Sequence, residues 1–574
     1  MKTSMKLRVL PVLSRMVKKR RTGSLQALFA FGLACTPFTI SCSDDIVLEQ
    51  KVIEPVYEFI PAPDAGGVYG ATMPYTRYDS ESAELSGGAE LRSSENFDRD
   101  NIASQASRQS YVALPSAGAA AEWTVTAEGD GVVMRFTMPD SNDGKGRYGS
   151  LDIDVNGVKA KTIELNSYHA WVYFHSGQYD DGEDTYTSGD ISCFAFDEVH
   201  FKLDTPLVPG DKIRVRNSGA GGMEYGVDFL EIEPVPAPIP VPSDAVIYQG
   251  GDLEAAIEQA TEEGKKTVYI PAGTHEFGRY ITIKGNGIKI TGAGMWHTNI
   301  KFTSDKRDNP GGGVKGDCSQ MEFCHMYIDS NINTRRSGQY HGFCGYWGNN
   351  TVIHNIWQEH FVSGFWIADY DKSRTTKNLR ILNCRIRNNY ADGVNFHLGT
   401  SYSTVYNCSV RNNGDDGLAM WNLDQPGIGD ELQNMFCYNT IDLGWRASFI
   451  AIFGGDRHWI YNNYLCDTFL AAGVRMNGYY SGYRFSNTSL ILFENNVFVR
   501  CGSKADIANN HYHAIDIEDS HPKNVEFRNT TIYGSQDGDI HLDGSVKVYE
   551  TAYPSEEPST PPVGSISETG FTIY

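Results

Sequence analysis

The second half of the chain alternates short apolar segments with Asn- and Gly-rich turns, and the pattern returns at intervals of roughly two dozen residues. Segments 381–386 and 405–410 show it best, because Asn383 and Asn407 occupy matching positions 24 residues apart. Extended segments that recur at such a period predict the coils of a right-handed parallel β-helix. The first strands of the predicted coils fall within 321–324, 352–355, 381–383, 405–407, 435–438, 460–462, 492–495 and 525–529.

The first half of the chain has another pattern. Short alternating segments such as 123–127, 132–138 and 213–216 are separated by Gly, Asp and Asn turns, which is typical of a β-sandwich. Residues 234–242 then place Pro at every second position, which predicts a semi-rigid linker. After the linker, Asp252 can cap an amphipathic helix that ends near Gly264 and covers the first coil.

The predicted fold class is therefore all-β, with a right-handed parallel β-helix domain preceded by a β-sandwich domain. The predicted organisation is a signal peptide, a tether, the sandwich, a linker, the β-helix and a peripheral C-terminal segment, at 1–41, 42–65, 66–233, 234–243, 244–550 and 551–574.

The N-terminus has the composition of an export signal. The basic run 18–21 precedes the apolar run 25–38, which is too short for a stable membrane span. The run ends at Thr39-Ile40-Ser41-Cys42, which resembles a bacterial lipobox with Cys42 as the lipidated residue. Ser43-Asp44-Asp45 resembles the surface-export signal of Bacteroidetes lipoproteins. This predicts an exported outer-membrane lipoprotein that is exposed at the cell surface, whereas the alternative is an ordinary cleaved secretory signal.

Charge narrows the range of ligands. After residue 41 the chain has 41 Lys and Arg against 71 Asp and Glu, a net charge of −30. Such a surface repels phosphates, so we expect no nucleic-acid partner. Nine of the 11 cysteines follow Cys42, and no CxxC pair occurs. We expect these nine to be small buried side chains rather than a disulfide framework.

Two acidic motifs carry the candidate chemistry. Ala391-Asp392-Gly393 follows one predicted strand, Gly414-Asp415-Asp416-Gly417 follows the next, and Asp392 and Asp416 are again 24 residues apart. Adjacent strands lie about 4.8 Å apart, so these two side chains should stack. Glycoside hydrolysis needs one carboxylic acid and one carboxylate. We expect Asp392 and Asp416 to hold the attacking water and Asp415, with its pKa raised by their charge, to act as the acid in an inverting mechanism. The sequence does not settle which of Asp415 and Asp416 is the acid.

These motifs resemble the catalytic signature of glycoside hydrolase family 87, together with Gly292-Ala-Gly-Met-Trp296 and His341-Gly-Phe-Cys-Gly-Tyr-Trp347. The resemblance covers roughly residues 245–550. It implies an inverting α-1,3-glucanase on a right-handed β-helix, an α-glucan substrate such as mutan or nigeran, no cofactor for catalysis and a monomer. Candidate substrate-binding residues beside the acidic coils are Trp366, Tyr390, Asn395, His397, Trp421, Asp456 and His458.

The N-terminal domain resembles carbohydrate-binding module families 6 and 35. Asp79-Ser-Glu81 stands where those modules have Glu-x-Glu, and Val227-Asp228-Phe-Leu-Glu-Ile matches their closing strand. The resemblance implies that Asp79, Glu81 and Asp228 hold a structural Ca²⁺, although Asp79 replaces the first Glu.

Two other functions fit the pattern less well. A polygalacturonase or a lyase would act on an acidic polysaccharide, which the negative surface disfavours. Polygalacturonases also carry Gly-His-Gly and Arg-Ile-Lys motifs that are not in this chain. A β-helix lipoprotein that binds glycan without cleaving it would keep the fold and be insensitive to Asp415→Asn.

Overall fold

The computed structural model describes residues 16–17, 48–49, 68–94, 96–174, 191–304, 311–335, 340–478 and 482–564. Almost all of the predicted signal peptide and tether, with Cys42, lies outside these ranges. Two short strands from that part, Met16–Val17 and Leu48–Glu49, pair antiparallel. Within the described ranges, no helix has the length and apolarity needed to cross a membrane.

Residues 76–233 form two facing antiparallel sheets, as the alternating segments predict. The five-stranded sheet has the order Val158–Asn166, Tyr148–Val155, Lys212–Asn217, Ala120–Thr124 and Glu84–Ser86. The six-stranded sheet has the order Asp197–Leu207, Gly129–Thr137, Tyr225–Glu233, Ser110–Leu114 and Glu90–Ser93, with Thr76–Asp79 also paired to Tyr225–Glu233. Val172–Phe174 and Ile191–Cys193 form a separate antiparallel pair. Four short 3₁₀ segments lie at Ser80–Ser82, Ile102–Gln105, Ser107–Gln109 and Ala220–Gly222.

Residues 245–549 form a parallel β-helix, so the all-β prediction is confirmed. One wall is a ten-stranded parallel sheet, which we call the short sheet: Ile281–Asn286, Gly312–Ser319, Tyr340–Tyr346, Ser363–Ile367, Val394–His397, Leu418–Trp421, Ile450–Phe453, Val474–Met476, Ile515–Ile517 and Ile540–Leu542. The remaining walls of the β-helix belong to a twenty-stranded sheet, which we call the long sheet. Its strands are Ala245–Ile247, Thr267–Ile270, Gly273–Phe277, Lys289–Gly292, Thr298–Phe302, Glu322–Ser330, Val352–Glu359, Arg380–Leu382, Arg385–Arg387, Thr404–Tyr406, Ser409–Arg411, Met435–Cys437, Thr440–Asp442, Trp459–Tyr461, Tyr464–Cys466, Ile491–Glu494, Val497–Val499, Lys523–Arg528, Thr531–Tyr533 and Ser545–Tyr549.

Asparagine makes the bends between the strands of a coil. Asn383 and Asn407 have φ angles of 55°, in the left-handed region that Asn adopts more readily than most residues. Their side chains stack from coil to coil, with Asn407 Nδ2 donating to Asn383 Oδ1 at 2.8 Å. A second amide stack joins Asn439 to Asn463 inside the coil at 3.0 Å. Each buried amide therefore finds its partner on the neighbouring coil.

A single helix closes the N-terminal end of the β-helix within the described residues. It spans Leu253–Glu262, and the Asp252 carboxylate accepts a hydrogen bond from the Glu254 N–H at 3.1 Å. Leu253, Ile257 and Ala260 are buried against the first coil, as the amphipathic pattern predicts. Capping and apolar burial together hold this helix over the open core.

The linker and the C-terminal segment both pack against the domains. Residues 234–242 have no helix or strand, but Ile239 N–H donates to Ala293 O at 2.9 Å. Glu557 pairs with Arg500 at 2.9 Å and with Arg108 at 2.5 Å.

The nine cysteines in the described ranges are free and buried.

A buried ion cluster joins the sandwich to the long sheet. The guanidinium of Arg411 contacts Glu198 Oε1 at 2.6 Å and Glu231 Oε1 at 2.7 Å, and none of the three side chains is more than 1% exposed. Arg387 lies 3.4 Å from both carboxylates. Burial acts to raise the pKa of Glu231, but Arg411, Arg387 and Arg77 outweigh it, so the pKa stays well below its ordinary value. The two domains are therefore fixed to each other by charges that cannot reach water.

We expect Arg411→Ala to destabilise the full chain strongly, because it removes the guanidinium that contacts both buried carboxylates, Glu198 at 2.6 Å and Glu231 at 2.7 Å. Removing one partner of a buried pair typically costs about 3–5 kcal/mol. The midpoint of chemical denaturation measures the loss. Arg92→Ala is the matched control, since its pair with Glu224 is 38% exposed on both sides and should matter much less. Equal effects of the two substitutions would contradict a stabilising role for the buried cluster.

Candidate active site

Asp392 and Asp416 lie on equivalent bends of adjacent coils. Each bend leads from the long sheet into the short sheet, where Val394 pairs with Leu418. The Gly393 N–H donates to Asp416 O at 3.0 Å, so the parallel register sets the two aspartates one above the other. A Cβ on Gly414 would lie 1.8 Å from the Trp445 ring, so only glycine fits at the start of the second bend.

The three carboxyl groups converge. One carboxylate oxygen from each of Asp392, Asp415 and Asp416 lies within 4.8 Å of the other two. Asp392 Oδ1 accepts a hydrogen bond from Asn395 Nδ2 at 3.2 Å, and Oδ2 accepts one from Ser363 Oγ at 3.4 Å. Asp392 and Asp416 are each 4% exposed, whereas Asp415 is half-buried.

Two arginines hold Asp415. Arg335 Nη2 lies 2.9 Å and Arg446 Nη1 lies 2.8 Å from Asp415 Oδ2. Arg335 Nη1 also donates to the carbonyls of Tyr390 and Gly414, both at 2.9 Å, and so ties the two acidic bends together. The three carboxylates are close enough to share a metal ion, but here the two guanidinium groups already supply positive charge to Asp415.

The protonation pattern differs from the prediction. Burial acts to raise the pKa of Asp415, but Arg446 and Arg335 outweigh it and lower that pKa, so the expectation of a raised value is wrong for the free protein. Burial and the charges of Asp415 and Asp392 raise the pKa of Asp416 well above its ordinary value. Burial and the Asp415 charge raise the pKa of Asp392 to about 7. The environment of the site therefore favours the charged form of Asp415 and the protonated form of Asp416, while Asp392 changes its protonation near neutral pH.

A row of rings runs along the outer face of the short sheet beside the carboxylates. The Trp366 ring stacks on His341 at 5.9 Å and on His397 at 5.3 Å, and His397 is tilted against Trp421 at 6.4 Å. Trp366 and Trp421 are half-buried, so part of each ring faces solvent. Burial lowers the pKa of His397 to about 4, so its ring is neutral at pH 7. Half-exposed aromatic rings of this kind suit the apolar faces of sugars.

Tyr370 and Tyr483 extend this row. Tyr370 is 51% exposed, and its hydroxyl lies 3.3 Å from His397 Nδ1. The Tyr483 hydroxyl lies 3.3 Å from His397 Nε2, and its ring packs edge-on against Trp421 at 5.1 Å. The negative charge of Asp392 acts on the pKa of both tyrosines, which places them near the acidic bends.

Three residues predicted to bind substrate are part of the interior instead. Tyr390 is fully buried, packs edge-on against Phe194 and donates its hydroxyl to His169 O at 2.9 Å. The Asp456 carboxylate is fully buried and accepts from Thr488 Oγ1 and from the Ser489 N–H. His458 is 1% exposed, and its Nδ1 accepts from the Asn434 N–H at 3.2 Å. Asn395 is also fully buried, but it contacts Asp392 and so orients a carboxylate of the site.

The geometry of the sandwich does not support the predicted Ca²⁺ site. Asp228 forms a buried ion pair with Arg135, and the Ser107 N–H lies 3.1 Å from each of its oxygens. Asp79 accepts from Ser107 Oγ at 3.2 Å, and Glu81 accepts from Ser110 Oγ. Hydrogen-bond donors therefore occupy these carboxylates, and the three do not form a metal-ligating group among the described residues.

Sequence analysis missed Arg335, Arg446, Tyr370 and Tyr483. Arg446 lies at the bend that follows Asp416 by one coil, and the Ser448 carbonyl accepts from the Gly417 N–H at 2.9 Å. Counting one coil beyond the acidic motifs would have found this arginine. Arg335 precedes Asp392 by 57 residues and belongs to no repeat position, so no sequence signal identifies it.

Comparisons with known proteins agree with this architecture. The family profile described as "Alpha-1,3-glucanase catalytic domain D2" matches residues 247–565, and "Alpha-1,3-glucanase catalytic domain D1" matches residues 72–235. A comparison with curated protein sequences gave no match.

Solved structures with the same fold cover most of the chain. The crystal structure of the Agl-KA catalytic domain is 46% identical with a TM-score of 0.79, over 84% of this chain and 88% of that one. The catalytic domain of a family 87 α-1,3-glucanase in complex with nigerose is 25% identical with a TM-score of 0.69, over 81% and 85%. The catalytic unit of the Streptomyces thermodiastaticus strain HF3-3 enzyme is 20% identical with a TM-score of 0.65, over 86% and 100%, which concerns the fold alone.

With a family profile that covers more than half of the chain and a solved relative at 46% identity, the protein belongs to the α-1,3-glucanase catalytic-domain family of glycoside hydrolase family 87.

Proposed function

We propose that this glycoside hydrolase cleaves α-1,3-glucosidic linkages of α-glucan at the site formed by Asp392, Asp415 and Asp416. The observation that carries the proposal is that one oxygen from each of these three carboxyl groups lies within 4.8 Å of the other two. The pKa of Asp415 is lowered and the pKa of Asp416 is raised, so the two groups differ in how readily they hold a proton. Two carboxyl groups whose environments push their pKa values apart supply the acid and the base that glycoside hydrolysis needs. The half-buried rings of Trp366 and Trp421 beside the site would hold the sugar chain.

We propose an inverting reaction in which the carboxylates of Asp392 and Asp415 hold the attacking water. Two oxygens up to 4.8 Å apart can both accept hydrogen bonds of about 2.8 Å from one water molecule. Asp416, whose pKa is raised well above its ordinary value by burial and by the charges of Asp415 and Asp392, would protonate the leaving oxygen. The separation is shorter than the about 6.5–9.5 Å of most inverting pairs, so the stereochemistry has to be measured directly.

The sandwich supports the coil that carries Asp392. The fully buried Tyr390 donates to His169 of the sandwich, and Arg387 at the end of the preceding strand contacts Glu198 and Glu231. We propose that the domain, which resembles a carbohydrate-binding module, acts mainly as a structural part of the catalytic unit. A lyase or a polygalacturonase acting on a uronate has less support, because Arg335 and Arg446 are bound to Asp415.

We also propose that the protein is exported and lipidated at Cys42, as an outer-membrane lipoprotein exposed at the cell surface. Support comes from the lipobox-like sequence and from the substrate, since an insoluble glucan cannot enter a cell. Incorporation of a fatty-acid label that is lost in Cys42→Ala tests the anchor, and persistence of the label in that variant would exclude it.

We expect the purified protein to release reducing sugar from insoluble α-1,3-glucan and Asp415→Asn to lose about 10²–10⁴-fold of that activity, the usual contribution of an acid–base group. Proton NMR of the first product should show the β-anomer. Asp371→Asn is the control, because Asp371 is a surface acid that pairs with Lys315. If the first product is the α-anomer, the reaction proceeds with retention and not with inversion. Full activity of Asp415→Asn would exclude the proposed site.

A substrate with a fluoride leaving group identifies the proton donor. Fluoride leaves without protonation. A variant that lacks only the acid should therefore lose activity on glucan but keep it on an α-1,3-linked glucose disaccharide that carries an α-fluoride at its anomeric carbon. We expect Asp416→Asn to behave in this way and Asp392→Asn to lose activity on both substrates. If Asp415→Asn is instead the variant rescued by fluoride, then Asp415 is the acid and substrate binding must reverse the protonation pattern of the free site.

A further inference from the structure

A second cluster of metal-ligating side chains lies on the long sheet, away from the acidic bends. One ligand atom from each of Cys324, His325 and His354 lies within 4.8 Å of the other two. Cys324 and His354 are partners on adjacent parallel strands. Their neighbours Phe323 and Ile353 are buried in the core of the coil, so Cys324 and His354 are on the opposite, outer face. The register of the coils therefore holds a thiol and an imidazole side by side.

His325 completes the group because the chain bends there. Its φ angle is 62°, a left-handed conformation that is unusual for histidine and ends the first part of the strand. The bend brings the His325 ring to 5.1 Å from the His354 ring, nearly perpendicular at 83°. Cys324 and His354 are buried and His325 is half-buried, so the cluster opens toward solvent on one side.

A fourth ligand and an orienting contact are also present. Glu322 Oε1 lies 3.0 Å from His354 Nε2 and 3.8 Å from Cys324 Sγ. Asn355 Oδ1 lies 2.8 Å from His354 Nδ1 and can accept a hydrogen bond from it, which leaves Nε2 as the coordinating atom. Metal-bound histidines usually have this kind of partner on the second ring nitrogen.

We propose that Cys324, His325 and His354, with Glu322 or water in the fourth position, bind a divalent transition metal such as Zn²⁺. In a tetrahedral site with bonds of about 2.0–2.3 Å, neighbouring ligand atoms are about 3.3–3.8 Å apart. The separations of up to 4.8 Å need only small side-chain rotations to reach this range. Thiolate and imidazole ligands select Zn²⁺ over Ca²⁺ or Mg²⁺. The bound ion would join two successive coils in the N-terminal half of the β-helix.

Neighbouring charge argues partly against the site. Lys289 Nζ lies 2.7 Å from Glu322 Oε1 and would repel a cation. Metal binding would also release protons from the Cys324 thiol and from any charged His354 to solvent. Without a metal, the same residues form an ion pair and hydrogen bonds, and this is the arrangement that the experiment must distinguish.

Titration of the full chain with Co²⁺ and Zn²⁺ tests the proposal, using reduced, tag-free protein that has been treated with a chelator. We expect one equivalent of Co²⁺ to give a thiolate-to-cobalt charge-transfer band together with the visible bands of four-coordinate cobalt, and Zn²⁺ to remove both. Zn²⁺ should also raise the thermal midpoint, because it binds only the folded protein. The absence of a charge-transfer band at one equivalent would overturn the proposal.

Three variants assign the ligands. Cys324→Ser should remove the charge-transfer band. His325→Asn should weaken Zn²⁺ binding at least about tenfold, and Asn tolerates the positive φ so the bend is kept. Asn355→Gly, also compatible with its φ of 51°, should weaken binding about 10–100-fold through the lost orientation of His354.

The control is Cys344→Ser, which removes a buried cysteine on the short sheet and should leave the cobalt spectrum unchanged. Circular dichroism of each variant excludes loss of fold as the cause. Equal Zn²⁺ affinity in the parent and in both Cys324→Ser and His325→Asn would show that the cluster is only a set of ion pairs and hydrogen bonds.

Discussion

The backbone register between successive coils is the constraint on which the rest of this structure depends. Parallel pairing of Val394 with Leu418 fixes which residues stand above one another, and the bends inherit that alignment. A slip of one residue would separate Asp392 from Asp416 and Asn383 from Asn407. The asparagine stacks oppose such a slip, because each buried amide has its partner only in the native register.

The second determinant is the buried charge between the domains. Arg387 and Arg411 come from two adjacent coils, and both meet the sandwich carboxylates Glu198 and Glu231. Ion pairs of this kind specify one orientation more surely than they add stability, because an unpaired charge at the interface would be severely destabilising. The same contact region includes His169 and Tyr390, which stand behind the Asp392 bend. The position of the site thus depends on the docking of the sandwich.

The site itself combines three carboxyl groups with two arginine side chains. Three carboxylates in one buried patch would repel each other. Arg335 and Arg446 offset this repulsion in part by pairing with Asp415, which keeps Asp415 charged. Burial, together with the negative charge of Asp415, then raises the pKa of Asp416 and Asp392. Position alone thereby makes one of these chemically identical side chains an acid and another a base at the same pH.

The sequence by itself determined the repeat, the fold class, the capped helix and the pairing of Asp392 with Asp416, because periodic spacing and local propensity act along the chain. It did not determine the protonation of Asp415, since Arg335 reaches it from 80 residues away. Nor did it separate Trp366, which faces solvent in part, from Tyr390, which is wholly buried under the sandwich. Burial, ion pairing and the choice between core and cleft depend on which distant segments pack together, and only the tertiary structure decided them.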